Sequence, residues 1–142
     1  MENKVSTMMS ALQRADLIVS DALICDGLLN TTLGSHFELH STRSGFLPNF
    51  IMTRYIGACM AFRRDILAKV LPFPSNSKLC AHDYWIANIG EMYYKVELIA
   101  TPLIKYRRHD SNASNGGQKS QNSLAHKLKV RIYTLMHLLK RI

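Results

Sequence analysis

Residues 81–107 read AHDYWIANIGEMYYKVELIATPLIKYR, and this stretch decides the fold. Its first part, residues 81–94, predicts the central helix of the domain, because large apolar side chains recur at helical spacing. Those available for packing are Tyr84, Trp85, Ile89, Met92 and Tyr93. The second part is aliphatic and predicts two strands, residues 96–100 and 103–107, with Pro102 between them.

The sequence before this stretch supplies the other strands of an α/β domain. Residues 57–62, GACMAF, begin with small side chains and become apolar, which is typical of a core strand. Residues 16–21, DLIVSD, hold a short apolar run between acidic residues, which indicates a buried strand. We therefore predict a small mixed sheet flanked by helices.

The remaining helices are predicted to be short. Residues 4–14 and 64–70 carry apolar side chains at helical spacing, and the sequence Leu71-Pro72-Phe73-Pro74 stops the second helix. Residues 27–53 contain several Gly, Asn and Pro breakers, so we expect one or two short helices among loops there.

Composition places the chain among ordinary globular proteins. Its 142 residues suffice for one domain, and 47% of them are hydrophobic. No uninterrupted apolar run is long enough to predict a membrane-spanning helix. The three cysteines are scattered and form no CxxC pair, so we expect reduced thiols in a cytosolic protein rather than a disulfide framework or a zinc site.

The net charge of +8 is concentrated at one end of the chain. Residues 1–104 contain nine Lys or Arg and nine Asp or Glu, whereas residues 105–142 contain nine Lys or Arg and one Asp. A neutral body with a basic tail predicts contact of the tail with an anionic surface. No nucleic-acid-binding motif accompanies the basic residues, so we expect no nucleic-acid partner.

The tail divides into a polar linker, residues 113–122, and a basic amphipathic helix, residues 123–142. The apolar face of this helix consists of Leu124, Leu128, Ile132, Leu135, Met136, Leu139 and Ile142. We expect it to be loosely attached to the domain and to bind anionic membrane headgroups.

Four short motifs follow one another in the middle of the chain. They are YIGACMAFRR (55–64), LPFP (71–74), HDYW (82–85) and PLIKYRRHDSN (102–112). In this order and spacing they resemble bacterial family 2 glycosyltransferases of the GT-A type, especially the rhamnosyltransferase-like members that build surface polysaccharides. The resemblance covers residues 1 to about 115 and implies that residues 1–112 are the C-terminal, acceptor-binding part of a partial GT-A fold.

Asp83 is the predicted catalytic residue. An inverting sugar transfer needs a carboxylate that takes a proton from the acceptor hydroxyl, and the resemblance gives this role to the Asp of the His-Asp motif. A position at a helix start favours the charged form of a carboxylate and fixes its orientation. The alternative is that Asp83 only caps the helix. His82 either orients Asp83 or caps the helix itself.

Four further residues are predicted to contact the acceptor or donor sugar. Gly57 and Ala58 allow the backbone to approach a sugar ring closely, although tight strand packing explains small residues equally well. Tyr84 and Trp85 offer a stacking surface for a sugar, whereas aromatic side chains in such a helix are more often part of the core.

The resemblance also implies residues that face the donor diphosphate. Arg107 and Arg108 would offset the charge of the leaving group, and His109 would help to hold a divalent metal ion, Mg²⁺ or Mn²⁺. The alternative is a solvated basic loop.

The family's donor-binding elements have no counterpart in this sequence. There is no D-x-D loop, and Asp21 corresponds to a later Ser-Asp element instead. We therefore expect a truncated fragment that is inactive alone, binds no metal by itself, and transfers from a nucleotide sugar to a saccharide or lipid-linked acceptor only when completed by a donor-binding half.

The expected location of this fragment is peripheral, on the cytoplasmic face of the cell membrane. The alternative is a non-catalytic remnant, or a membrane or protein interaction module, whose exposed apolar surface promotes self-association.

Overall fold

Strand β1 (Leu17–Cys25) is the centre of the sheet in the computed structural model, which describes residues 1–107 and 122–142. Eight of its nine residues are buried. A strand that is covered on both faces reads as a continuous apolar run, which is what the sequence shows from Leu17 to Val19.

The sheet has four strands of mixed direction. Strand β4 (Val96–Arg107) pairs with β1 in parallel along the whole length of β1. On the opposite edge of β1, β3 (Met60–Phe62) pairs antiparallel with its first half and β2 (Thr31–Ser35) antiparallel with its end. The predicted α/β class, a small mixed sheet flanked by helices, is confirmed.

The described residues form six α-helices and two single turns of 3₁₀ helix, Gly57–Cys59 and Arg64–Ile66. The helices are α1 (Lys4–Ala11), α2 (His36–His40), α3 (Phe46–Met52), α4 (Leu67–Val70), α5 (His82–Tyr93) and α6 (Leu124–Leu139).

Helices α1 and α5 cover opposite faces of the sheet. Successive side chains of a strand point to opposite faces, so Leu17 and Val19 belong to the main core with α5, whereas Ile18 packs with α1 in a smaller cluster. Helix α5 lies very close to β1, because a Cβ added at Gly90 would lie 2.3 Å from Cδ2 of Leu17. A larger residue at position 90 would therefore clash with Leu17 and push α5 away from β1.

Strand boundaries differ from prediction in three places. The two strands expected on either side of Pro102 form the single strand β4, and the register with β1 shifts there because proline has no N–H to donate. In residues 57–62, only Met60–Phe62 is extended. Strand β2 was not predicted, because Gly34 within it is a residue typical of turns. In the structure Gly34 adopts φ +77°, a conformation that favours glycine.

Helix α6 is docked on the domain, and the expectation of loose attachment is wrong. Leu138 is completely buried in the main core. Lys69 donates to the carbonyl of Arg141 at 2.6 Å, and the hydroxyl of Tyr133 accepts from the N–H of Asn76 at 3.0 Å. Most of the predicted linker, residues 113–121, lies outside the described residues. No helix of the described parts is both long and apolar enough to cross a membrane.

Candidate functional site

The first turn of α5 lies against the 3₁₀ turn that precedes β3. A Cβ added at Gly57 would lie 3.0 Å from Nε2 of His82 and 3.4 Å from Cβ of Asp83. The fold therefore brings together three predicted site residues that come from two separate motifs. Ala58, the fourth, is exposed beside Gly57 in the same turn.

Asp83 is half-buried and occupies the second position of α5, while Ala81 is the N-cap residue. Its Oδ1 accepts a hydrogen bond from the N–H of Tyr84 at 2.8 Å. Within the described residues its Oδ2 has no hydrogen-bond partner. The carboxylate thus stabilises the first turn with one oxygen, while no described residue bonds to the other.

Two buried cysteines flank this region. Burial raises the pKa of Cys59 to about 11, an effect that the positive charge of Lys4 opposes. Burial also raises the pKa of Cys80, and the charge of Asp83 acts in the same direction. Both thiols are therefore protonated at neutral pH and are poor nucleophiles.

Lys4 is a neighbour of the site that the sequence did not reveal. Its Nζ donates to the carbonyl of Ala58 at 2.8 Å, across 54 positions of the chain. No local pattern signals such a contact, because it depends on how α1 crosses the sheet.

Asp21 has a structural position. Its Oδ1 accepts from the N–H groups of Ala22, at 2.7 Å, and Phe37, at 2.9 Å, and its Oδ2 accepts from the hydroxyl of Ser35. These bonds tie β1 to the end of β2 and the start of α2. The carboxylate of Asp21 is thus fully used within the fold.

The aromatic residues of the His-Asp motif lie in the core. Trp85 is 0% exposed and donates its indole N–H to the carbonyl of Val70 at 2.9 Å. Tyr84 is nearly buried and donates its hydroxyl to the carbonyl of Phe50 at 2.6 Å. In this structure Trp85 has no ring face open to a sugar, and both residues hold α5 in place.

The predicted diphosphate-binding residues are only partly described. Arg107 is exposed at the last position of β4. It pairs with Cys25, on the opposite edge of β1 from β3 and Gly57. Arg108 and His109 lie outside the described residues.

An open groove of about 740 Å³ lies between α3, residues 78–81 and α6. Its lining includes Ala81 and Tyr84, which flank the His82-Asp83 pair, while neither His82 nor Asp83 lines it. A groove of this size accommodates a small ligand.

The described residues do not provide a metal site. Residues 1–107 and 122–142 contain no group of three or more His, Cys, Asp or Glu side chains placed to hold a metal ion. Asp21, the early carboxylate in this sheet, is occupied by backbone and hydroxyl donors. The described residues therefore offer no cluster that fits a Mg²⁺ or Mn²⁺ ion, and the predicted ligand His109 lies outside them.

No family model, curated protein or solved structure matches this chain.

Proposed function

We propose that this chain supplies the acceptor-side part of an inverting glycosyltransferase, with Asp83 as the general base. The observation that carries the proposal is Oδ2 of Asp83, which has no hydrogen-bond partner among residues 1–107 and 122–142 and lies at the start of α5 beside the small residue Gly57. The order of the four motifs supports the same assignment. The donor is a nucleotide sugar, and the acceptor is a saccharide or a lipid-linked saccharide.

The proposed step is a single displacement. The acceptor hydroxyl gives its proton to Oδ2 of Asp83 while its oxygen forms a bond to the anomeric carbon. The bond from that carbon to the nucleoside diphosphate breaks, and the diphosphate leaves with the electron pair. The hydrogen bond from Tyr84 to Oδ1 holds the carboxylate in one orientation during this step.

The leaving diphosphate requires positive charge. The motif resemblance assigns this charge to Arg107, Arg108 and His109, because guanidinium groups match phosphate oxygens in geometry and charge. This assignment rests on the motif alone, since Arg107 lies across β1 from Gly57. No step of this proposal passes through a metal ion. The reaction is proposed to take place at the cytoplasmic face of the membrane.

The catalytic role is tested by complementation, which keeps any other polypeptide of the system present. A host strain that lacks the gene receives the wild-type chain, Asp83→Asn or the control Asp65→Asn, an exposed carboxylate away from the α5 turn. The measurement is the incorporation of labelled sugar into surface polysaccharide. We expect Asp83→Asn to lower the rate about 10²- to 10⁴-fold, as for loss of a general base, and Asp65→Asn to restore it fully.

Wild-type incorporation by the Asp83→Asn strain would remove the base assignment. Unchanged incorporation in the deletion strain would instead favour the second candidate, a non-catalytic remnant or interaction module. That candidate draws support from the apolar side chains that α6 exposes.

Sugar contact is tested separately on the isolated chain by NMR titration with a panel of mono- and oligosaccharides. We expect shifts of the amide signals of Gly57, Ala58 and Asp83. Gly57→Ala should weaken binding, because its methyl group would lie 3.0 Å from Nε2 of His82. The matched control is Gly27→Ala, where an added Cβ meets nothing within 4 Å. Shifts confined to other regions, or equal effects of the two variants, would contradict the proposed site.

A further inference from the structure

Helix α6 turns its apolar face away from the domain. Every member of the face is between 42% and 84% exposed: Leu124, Leu128, Ile132, Leu135, Met136, Leu139 and Ile142. The helix docks through a different side, where Thr134 and Leu138 are completely buried. The seven exposed side chains, which we call the α6 stripe, form a continuous apolar surface along the helix, and a surface of this kind marks an interaction site.

Among the described residues the α6 stripe is uncovered, and the adjoining segment has the wrong composition to cover it. Residues 108–121, which directly precede the helix region, contain no Leu, Ile, Val, Met, Phe, Tyr or Trp. A segment of this composition cannot bury an apolar surface of this length. Residues 108–121 are therefore a poor cover for the α6 stripe.

The charges around the α6 stripe favour an anionic occupant. Residues 122–142 contain five Lys or Arg and no Asp or Glu. Lys129 and Lys140 are exposed, and their spacing from Met136, seven and four positions, places all three along one side of the helix. A second copy of residues 122–142 would bring five positive charges against five others. An anionic surface has the complementary charge.

Helix α3, which lies beside α6, also exposes apolar side chains. Leu47 and Ile51 of α3, one turn apart, are 66% and 63% exposed. The guanidinium of Arg131 in α6 donates to the carbonyl of Ile51, so the two helices are in contact. A partner that contacts α6 near Arg131 would therefore also contact Ile51.

We propose that α6 lies in the plane of an anionic lipid bilayer, with the α6 stripe in the boundary between headgroups and acyl chains. Lys129 and Lys140 extend to the lipid phosphates, as long basic side chains do beside an apolar helix face. The docked side of α6, through Leu138, then fixes the orientation of the whole domain on the membrane. This inference is independent of the proposed sugar transfer, because it rests on none of the residues near Asp83.

The experiment is co-sedimentation of the chain with lipid vesicles. One set contains about 30% phosphatidylglycerol in phosphatidylcholine, and the other is phosphatidylcholine alone. We expect binding to the anionic vesicles at about 0.1 M salt, little binding to the neutral ones, and release at about 0.5 M salt. The double variant Leu128→Ser/Ile132→Ser should lower the partition coefficient about tenfold or more, since two apolar side chains no longer enter the bilayer.

The charge requirement is tested with Lys129→Glu/Lys140→Glu, which should lose the preference for anionic vesicles. Matched controls carry the same number and kind of changes elsewhere: Leu28→Ser/Val5→Ser, at side chains that are 84% and 74% exposed, and Lys78→Glu/Lys95→Glu, at two exposed lysines. Both controls should bind like the wild type, and so should Asp83→Asn, which keeps this test separate from that of the sugar transfer.

Three results would overturn the proposal. The first is equal binding to anionic and neutral vesicles, or none to either. The second is unchanged binding of the Leu128→Ser/Ile132→Ser variant. The third comes from sedimentation velocity without lipid: a wild-type dimer that this variant converts to monomer would make a second copy of the chain the occupant.

Discussion

Helices α5 and α6 are both amphipathic in sequence, yet the fold uses them in opposite ways. In α5, seven consecutive residues from Tyr84 to Gly90 are buried. In α6, only Thr134 and Leu138 are buried, and the α6 stripe is exposed. Helix α5 lies directly on β1, whereas α6 forms an outer element of the main core.

The difference shows what apolar periodicity measures. The spacing of large side chains identifies a face that gains free energy when it leaves water. It does not identify the surface that covers this face. For α5 the cover is the sheet and the neighbouring helices of the same chain, and for α6 we propose a lipid surface.

The largest expected effect is a loss of stability on substitution in the buried helix α5. Trp85→Ala in α5 should lower the free energy of unfolding by about 3–5 kcal/mol, because it removes a completely buried side chain and leaves the Val70 carbonyl without its donor. The control is Met136→Ala in α6, 57% exposed, which should change it by less than about 0.5 kcal/mol. Urea unfolding of the two variants measures both values, and similar losses would remove the contrast between the helices.

A pair of leucines within α6 sharpens the comparison. Leu138→Ala should cost about 2–4 kcal/mol, since Leu138 is completely buried in the main core, whereas Leu135→Ala should cost less than about 0.5 kcal/mol. The two substitutions delete the same atoms three positions apart. Thermal or urea unfolding that finds them equal would mean that α6 is not docked through the Leu138 side.

The smallest effect is a pH dependence that arises in α5. Burial raises the pKa of Tyr84 to about 12, while the charge of Arg131 opposes this. An unfolded tyrosine has a pKa near 10. Below pH of about 10, both states keep the proton and the stabilisation is complete. Above it, the unfolded state loses its proton first, and the free energy of unfolding falls as pH rises towards the folded pKa.

Tyr84→Phe should therefore make this alkaline decline shallower, by at most about 1.4 kcal/mol per pH unit between pH of about 10 and 12. At pH 8 the variant should lose only the hydrogen bond to the Phe50 carbonyl, about 1 kcal/mol. Urea unfolding at a series of pH values measures both quantities. An unchanged slope would contradict the assignment of Tyr84 as a buried, protonated group.

The candidate site was partly predictable. Local motifs drew attention to Gly57 and to the His82-Asp83 pair, and the fold places them in contact. The burial of Trp85 agrees with the core alternative that the sequence left open. The contact of Lys4 with Ala58 was not predictable, because it depends on elements far apart in the chain. The role of Asp83 as a base stays a prediction.

By itself the sequence determined the α/β class, the central helix, the buried strand predicted at residues 16–21, which the structure extends to Cys25, and the basic, apolar character of α6. These properties follow from local composition and periodicity, which act over a few neighbouring residues. Only the tertiary structure decided that β4 runs through Pro102 as one strand, that β2 joins the sheet, and that α6 docks through Leu138 with its wider apolar face outward. Strand pairing and the choice of a docking face depend on contacts between segments that are distant in the chain. A local stretch of sequence therefore cannot show which pairing or face has the lowest free energy.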